Sequence, residues 1–252
     1  MRVNVIDQNP ALVSLINDYT QQIPLDANFF ISFDRSNTVK GSFAIPFKSF
    51  QKFWLDPLFL TFPYLSIHRV VINELVSSDS RNYAQSRIDQ GHLIVMEDSE
   101  FDSDTEIYRQ SFEKAIAAHT AYEPELDNAD DRGEVKSLAY IATKPLNFFA
   151  SHDSRALRLL ESPTKETIGL SNVGAIEIYE LLYYLRRMEM VQPEDGVNGL
   201  KMIYKYLYYL TKKEKLENPN WGEFYQLMDG LYASEIQKST GNPTPYRSFI
   251  DG

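Results

Sequence analysis

Apolar positions along the chain follow two periods. After Asn9-Pro10, the residues Ala11, Leu12, Leu15 and Ile16 keep the 3.6-residue period of a short helix with proline in its first turn. Short apolar runs then predict strands at Ile23-Pro24-Leu25, at residues 66–73, 91–96 and 147–150, and at 167–171. Pro24 has no amide to donate, so it is expected at the beginning of its strand. Between these runs the helical period returns. Ser103-x-x-Glu106 reads as a capping box opening a helix through Ile107, Phe112, Ile116 and His119. Residues 130–134 open another through Val135, Leu138, Ala139 and Ala142, with acids suited to its first turn. Helices follow at 154–160 and around Ile178, Leu181, Leu182, Leu185 and Met188, and Glu74-Leu75-Val76 reads as a helix start. Residues 34–67, aromatic and interrupted by Pro46, Pro57 and Pro63, read as an irregular or partly helical insertion.

Strands alternating with helices predict an α/β fold with a central parallel sheet of about five strands. The alternation stops after Pro193. The expected division is an N-terminal helix over 1–21, an α/β domain over 22–192 and a helical C-terminal extension over 193–252. The Gly/Pro/Ser-rich tail from Ser239 to Ser248 is expected to fray.

The 252 residues, 43% hydrophobic and 24% charged, suit a globular chain with a buried core. Cysteine is absent, which removes disulfides, thiolate metal sites and cysteine nucleophiles. There is no signal peptide at the start and no apolar run long enough to span a bilayer, so a soluble, cytoplasmic protein without a membrane partner is expected. A net charge of −10 argues against broad non-specific nucleic-acid binding. Phosphate-binding glycine loops and the HExxH zinc motif are missing. His68, His92, His119 and His152 share no metal-ligand spacing.

The informative feature is where acids interrupt apolar segments. Asp26, Glu74 and Asp153 each follow the carboxyl end of an expected strand, where open α/β sheets place their ligand crevice. Asp131 and Glu134, three apart, share a face of a helix start. Taken singly each is an ordinary turn or cap residue. Converged, they would repel one another unless cations neutralise them, and oxygen ligands select Mg²⁺ or Mn²⁺. Such a cluster activates water for displacement at phosphorus.

In order and spacing these segments resemble the PIN-domain family of metal-dependent nucleases. Leu25-Asp26-Ala27-Asn28 resembles its opening D-x-[NS] motif, and Val70-Val71-Ile72-Asn73-Glu74-Leu75 its second acidic motif. Asp131-Arg132-Gly133-Glu134 is similar to the D-x-G-E helix start of one subgroup, and Ser151-His152-Asp153 to the closing [ST]-x-D. The resemblance spans about residues 22–190. It implies a PIN-like three-layer fold and metal-dependent cleavage of single-stranded RNA, with Asp26, Glu74, Glu134 and Asp153 as catalytic metal ligands. Asp131 would be a further ligand or lie just behind them, and Asn28 and Ser151 would orient the carboxylates. Asp130 and Asp131 stay open as alternatives to Glu134 for the third ligand. The long insertion at 34–67 and Pro24 depart from the family pattern.

Ten of the 16 tyrosines fall in residues 166–252. Over 199–215, Leu200, Ile203, Leu207 and Leu210 form one helical face. Lys201, Lys205, Tyr208 and Lys212 lie within about 60° of one another on the opposite side, extended by Lys213 and Lys215. Such a stripe is either a solvated face or a platform for single-stranded RNA, lysines to phosphates and a base on Tyr208. A third reading makes the tyrosine-rich surface an interface for a protein inhibitor or a second copy of the chain. The alternative function is a catalytically inactive PIN-like scaffold acting through that extension.

Overall fold

The computed structural model describes residues 1–190 and 195–239; the expected boundary at 192/193 and the tail beyond Ser239 lie outside the described residues. The chain is α/β with a helical C-terminal region and fits a three-layer fold. One all-parallel sheet contains β1 (Ile23–Leu25), β2 (Leu65–His68), β3 (Leu93–Met96), β4 (Phe148–Ala150) and β5 (Gly174–Ile176), in the order β3-β2-β1-β4-β5. Two compact units divide the chain: Gln22–Ile31 with Tyr64–Ile178, which holds the sheet, and Met1–Gln21 with Ser32–Pro63 and Tyr179–Gly252. The chain therefore passes between the two units four times.

In the sheet unit β1 is the central strand, and Pro24 occupies its middle position, not its beginning. The ladder explains how. Ile23 N–H donates to Tyr64 on the β2 side, whereas Asp26 N–H donates to Ala150 on the β4 side. Alternation puts the Pro24 nitrogen on the β4 side, where pairing is reduced to Leu25 with Ala150. The missing donor costs the sheet little there.

Three expected elements shift. β2 ends at His68, and the apolar Val70, Val71 and Ile72 form the short helix Arg69–Glu74, in which Glu74 is the last residue and not a helix start. The buried His68 ring caps this helix, its Nδ1 accepting from Val70 N–H at 3.3 Å while Nε2 meets Asp98 at 3.1 Å. The last strand is Gly174–Ile176, not residues 167–171. Gly169 turns the chain at φ +82°, and the Phe112 ring packs where a β-carbon would stand, so that segment bends under the helix Ser103–Ala117. That helix is capped by Asp102, which accepts from Thr105 N–H at 2.8 Å, and not by Ser103. β3 buries Leu93 and Met96 but exposes Ile94, as an edge strand does.

The second unit is helical: Pro10–Asn17, Ile178–Arg187, Asp195–Tyr208, Lys212–Glu217 and Trp221–Ser239, with the segment 32–63 contributing Phe47–Phe50, a π-helical turn Gln51–Leu55, and Asp56–Thr61. The insertion expected to be irregular or partly helical is helical over 47–61. Phe50, Trp54, Leu55 and Leu58 of this stretch are fully buried. So are several tyrosines: Tyr183, Tyr204 and Tyr208 expose no surface, and Tyr204 stacks on Phe224 with centroids 4.4 Å apart. Burial of a phenol needs a partner for its hydroxyl. Tyr204 donates to the Pro219 carbonyl at 2.8 Å, and the Tyr232 hydroxyl accepts Asn9 N–H at 2.6 Å. These rings are core, which removes them from the interface the sequence suggested.

Candidate active site

The strand order reverses between β1 and β4, the switch point at which doubly wound sheets open a crevice past their carboxyl ends. Asp26 leaves β1 there and is 4% exposed. Its Oδ1 accepts Ala27 N–H at 2.6 Å; its Oδ2 accepts Asn28 Nδ2 at 2.6 Å and the Ser151 hydroxyl at 2.7 Å. Ser151, fully buried at the end of β4, also accepts Asp153 N–H at 2.9 Å, and Asn28 Oδ1 accepts His152 N–H at 3.2 Å. Asn28 and Ser151 therefore stitch the end of β1 to the end of β4 through the Asp26 carboxylate. Asp153 caps the helix Ser154–Glu161 by accepting Arg155 N–H at 2.6 Å.

Glu74 reaches the same place from the end of its helix. The Gly133 N–H bonds its carboxylate, and Gly133 has no β-carbon to fill the space that carboxylate occupies. Glu74 Oε1 is buried without a hydrogen-bond partner, and the equally unpartnered Arg132 Nε lies 3.9 Å away. Glu134, next on the helix Arg132–Thr143, completes the set.

The charges feel one another. Burial pushes Asp26 up to about 6, against the pull of the Ser151 and Ala27 hydrogen bonds, and Asp153 and Glu74 add to the rise. Burial also pushes Glu134 up to about 7, with Asp26, Asp153 and Asp131 raising it further. Glu74 is raised by burial and by Glu134, with Arg132 and the Gly133 amide opposing. Asp26, Glu74, Glu134 and Asp153 thus form one electrostatic group. Among the described residues, no three His, Cys, Asp or Glu side chains stand together in a group that could hold a metal ion. The donor set is nonetheless all-oxygen, with one buried, unpartnered carboxylate oxygen, and it fits a hard divalent ion.

Asp131 is placed differently. It adopts the left-handed conformation (φ 54°) at the start of its helix, and both its oxygens are taken, Oδ1 by Arg155 Nη1 at 2.6 Å and Oδ2 by Ala121 N–H at 2.9 Å. It braces Arg155, and its charge also raises Glu134. Asp130 is exposed. Of the three alternatives for the third ligand, Glu134 is the one coupled to Asp26 and Asp153.

The lysine stripe is broken. The helix ends at Tyr208, and Thr211 starts a new one with a capping box to Glu214, so Lys212 does not continue the wheel of Lys201 and Lys205. Tyr208 is fully buried and offers no face to a base. Sequence reading passed over Arg155 and Arg158, whose i,i+3 spacing just after Asp153 was the available signal. No protein-family model, curated protein or solved structure matches the chain. Among the described residues, no helix is long and apolar enough to cross a membrane.

Proposed function

We propose that the sheet unit is a metal-dependent nuclease of PIN type that hydrolyses single-stranded RNA. The observation that carries this reading is that Asp26, Glu74, Glu134 and Asp153 act on one another's charge past the β1/β4 switch point, with Glu74 Oε1 buried without a hydrogen bond and Arg132 Nε 3.9 Å from it. Like charges gathered in a buried crevice are costly, and a divalent cation is the counter-charge that makes the arrangement useful. When bound, Mg²⁺ or Mn²⁺ supplies an activated water and neutralises charge developing at phosphorus. Asp26, Glu74, Glu134 and Asp153 would hold it. Asn28 and Ser151 fix the rotamer of Asp26, and the Gly133 amide fixes Glu74. Asp26 and Glu134 keep their protons to higher pH than ordinary carboxylates and would release them on ligation.

The test pairs cleavage with melting. The wild-type chain should cut single-stranded RNA in Mg²⁺ or Mn²⁺, EDTA should abolish the cut, and Asp26→Asn should lower the rate at least about 100-fold without unfolding the chain. Manganese should raise the melting temperature of the wild type and not of Asp26→Asn. A folded wild type with no cleavage and no metal-dependent melting shift would sink the proposal.

A further inference from the structure

Behind the acidic group, still within the sheet unit, a cavity of about 510 Å³ opens beside the helix Ser154–Glu161. Its polar wall includes His119, Thr120, Arg155, Arg158, Ser162 and Thr164. The volume falls within the range of small-ligand pockets. Asp131 is the carboxylate on this wall, and it is already matched by Arg155 and by the Ala121 amide. The balance inside is therefore cationic in a chain whose net charge is −10. Arg155 gives Nη1 to Asp131, and Arg158 gives Nε to the Ser154 carbonyl at 3.1 Å. Each guanidinium has further N–H groups beyond those bonds, in the planar fork that matches phosphate oxygens. The Thr120 and Ser162 hydroxyls already donate to the Ala117 and Leu159 carbonyls, so the two guanidinium groups are the donors this wall offers.

The link to the acidic group is direct. Asp153 accepts the Arg155 amide at 2.6 Å, so the residue that ends the acidic group also seats the first arginine of the pocket. A polyanion lying across the acidic crevice would need positive charge nearby, and Arg155, two residues after Asp153, supplies a guanidinium to this pocket.

We propose that the Arg155/Arg158 pocket binds a backbone phosphate of single-stranded RNA flanking the cut, a proposal that rests on the nuclease reading for the identity of the polyanion. Binding of a fluorescent 12-nucleotide oligouridylate, measured by anisotropy in EDTA over a salt series, tests it apart from cleavage. Arg158→Gln, which leaves the Asp131 brace intact, should weaken binding about fivefold and flatten the slope of log affinity against log salt by about 0.7; adding Arg155→Gln should double that change. Asp26→Asn should bind at least as tightly as the wild type, so loss of cleavage and loss of binding separate. Unchanged affinity and slope in a folded Arg158→Gln variant overturn the pocket, whatever its cleavage rate. So does a loss confined to Lys201→Gln/Lys205→Gln. If uridine 5′-monophosphate competes as strongly as the oligomer in an Arg158-dependent way, the site takes a terminal monoester and the backbone assignment is wrong.

Discussion

A β-carbon placed on Gly133 would stand 3.0 Å from Glu74 Cδ and closer still to Oε2. The obstacle is the far end of a flexible side chain and not backbone, and Gly133 has ordinary helical geometry at the first turn of its helix. Alanine in place of glycine favours a helix by roughly 0.5–1 kcal/mol. Gly133→Ala is therefore expected to melt at or slightly above the wild-type temperature while displacing the Glu74 carboxylate and losing cleavage at least about tenfold. Equal activity in both proteins would show that Glu74 does not work from this position.

The raised carboxyls set a pH dependence for the metal-free chain. Asp26 and Glu134 hold protons in the fold up to about 6 and about 7, above their unfolded values of 3.8 and 4.5. Their contribution is fully present below the unfolded values and is lost as pH rises through the folded ones. In EDTA the chain should be more stable near pH 5 than near pH 7.5, by ~1.4 kcal/mol for the buried Asp26 alone. Urea unfolding across that range should show the decline, and Asp26→Asn should flatten part of it. A wild type that gains stability over the same interval contradicts the assignment.

Ser151→Ala removes one hydroxyl with two jobs, donor to Asp26 and acceptor for the Asp153 amide. Leaving those buried partners unmatched should cost ~1–3 kcal/mol. The same change removes a hydrogen bond that lowers the Asp26 titration. The pH at which metal-free stability falls should consequently move upward, and isothermal titration should find Mn²⁺ bound roughly 10–100-fold more weakly.

In the helical unit, Asn218 is buried and joins three segments. It accepts Val3 N–H at 2.8 Å and donates to Met1 O at 3.0 Å and Tyr208 O at 2.8 Å. Asn218→Ala should lose ~2–3 kcal/mol by leaving these groups unpaired. Asn218→Asp should lose more, because a carboxylate would then face two carbonyls. Chemical denaturation ranks the pair; the reverse order would mean that the amide donors contribute nothing.

Strands with an apolar run of their own were legible in sequence: β1, β2, β3 and β4 all lie inside or within a residue of the expected segments. β5 was not, because Gly174-Ala175-Ile176 offers little side-chain pattern while the more apolar Ile168 and Leu170 are buried against the helix core beside a left-handed glycine. The strand-end acids were visible because a charge inside an apolar stretch is conspicuous. What the chain does with each acid was not: Asp131 and Glu134 look alike in sequence, and only tertiary placement gives one to Arg155 and the other to the acidic group. The lysine stripe failed for a local reason that could have been read. Thr211-Lys212-Lys213-Glu214 is a capping box, and a cap inside an assumed helix ends it.

The interleaving of the two units has a consequence for synthesis. Every residue of the sheet unit has been made once Ile178 is reached, but the segment Ser32–Pro63 belongs to the other unit, most of which follows Tyr179. Until that portion emerges, Phe50, Trp54, Leu55 and Leu58 have no core to enter. A growing chain would thus display a greasy aromatic segment from an otherwise finished sheet, a target for holding chaperones and a seed for clumping when translation stalls late. Truncation after residue 178 should reproduce that species, sheet intact and sticky, and co-expression of 179–239 as a separate piece should quiet it.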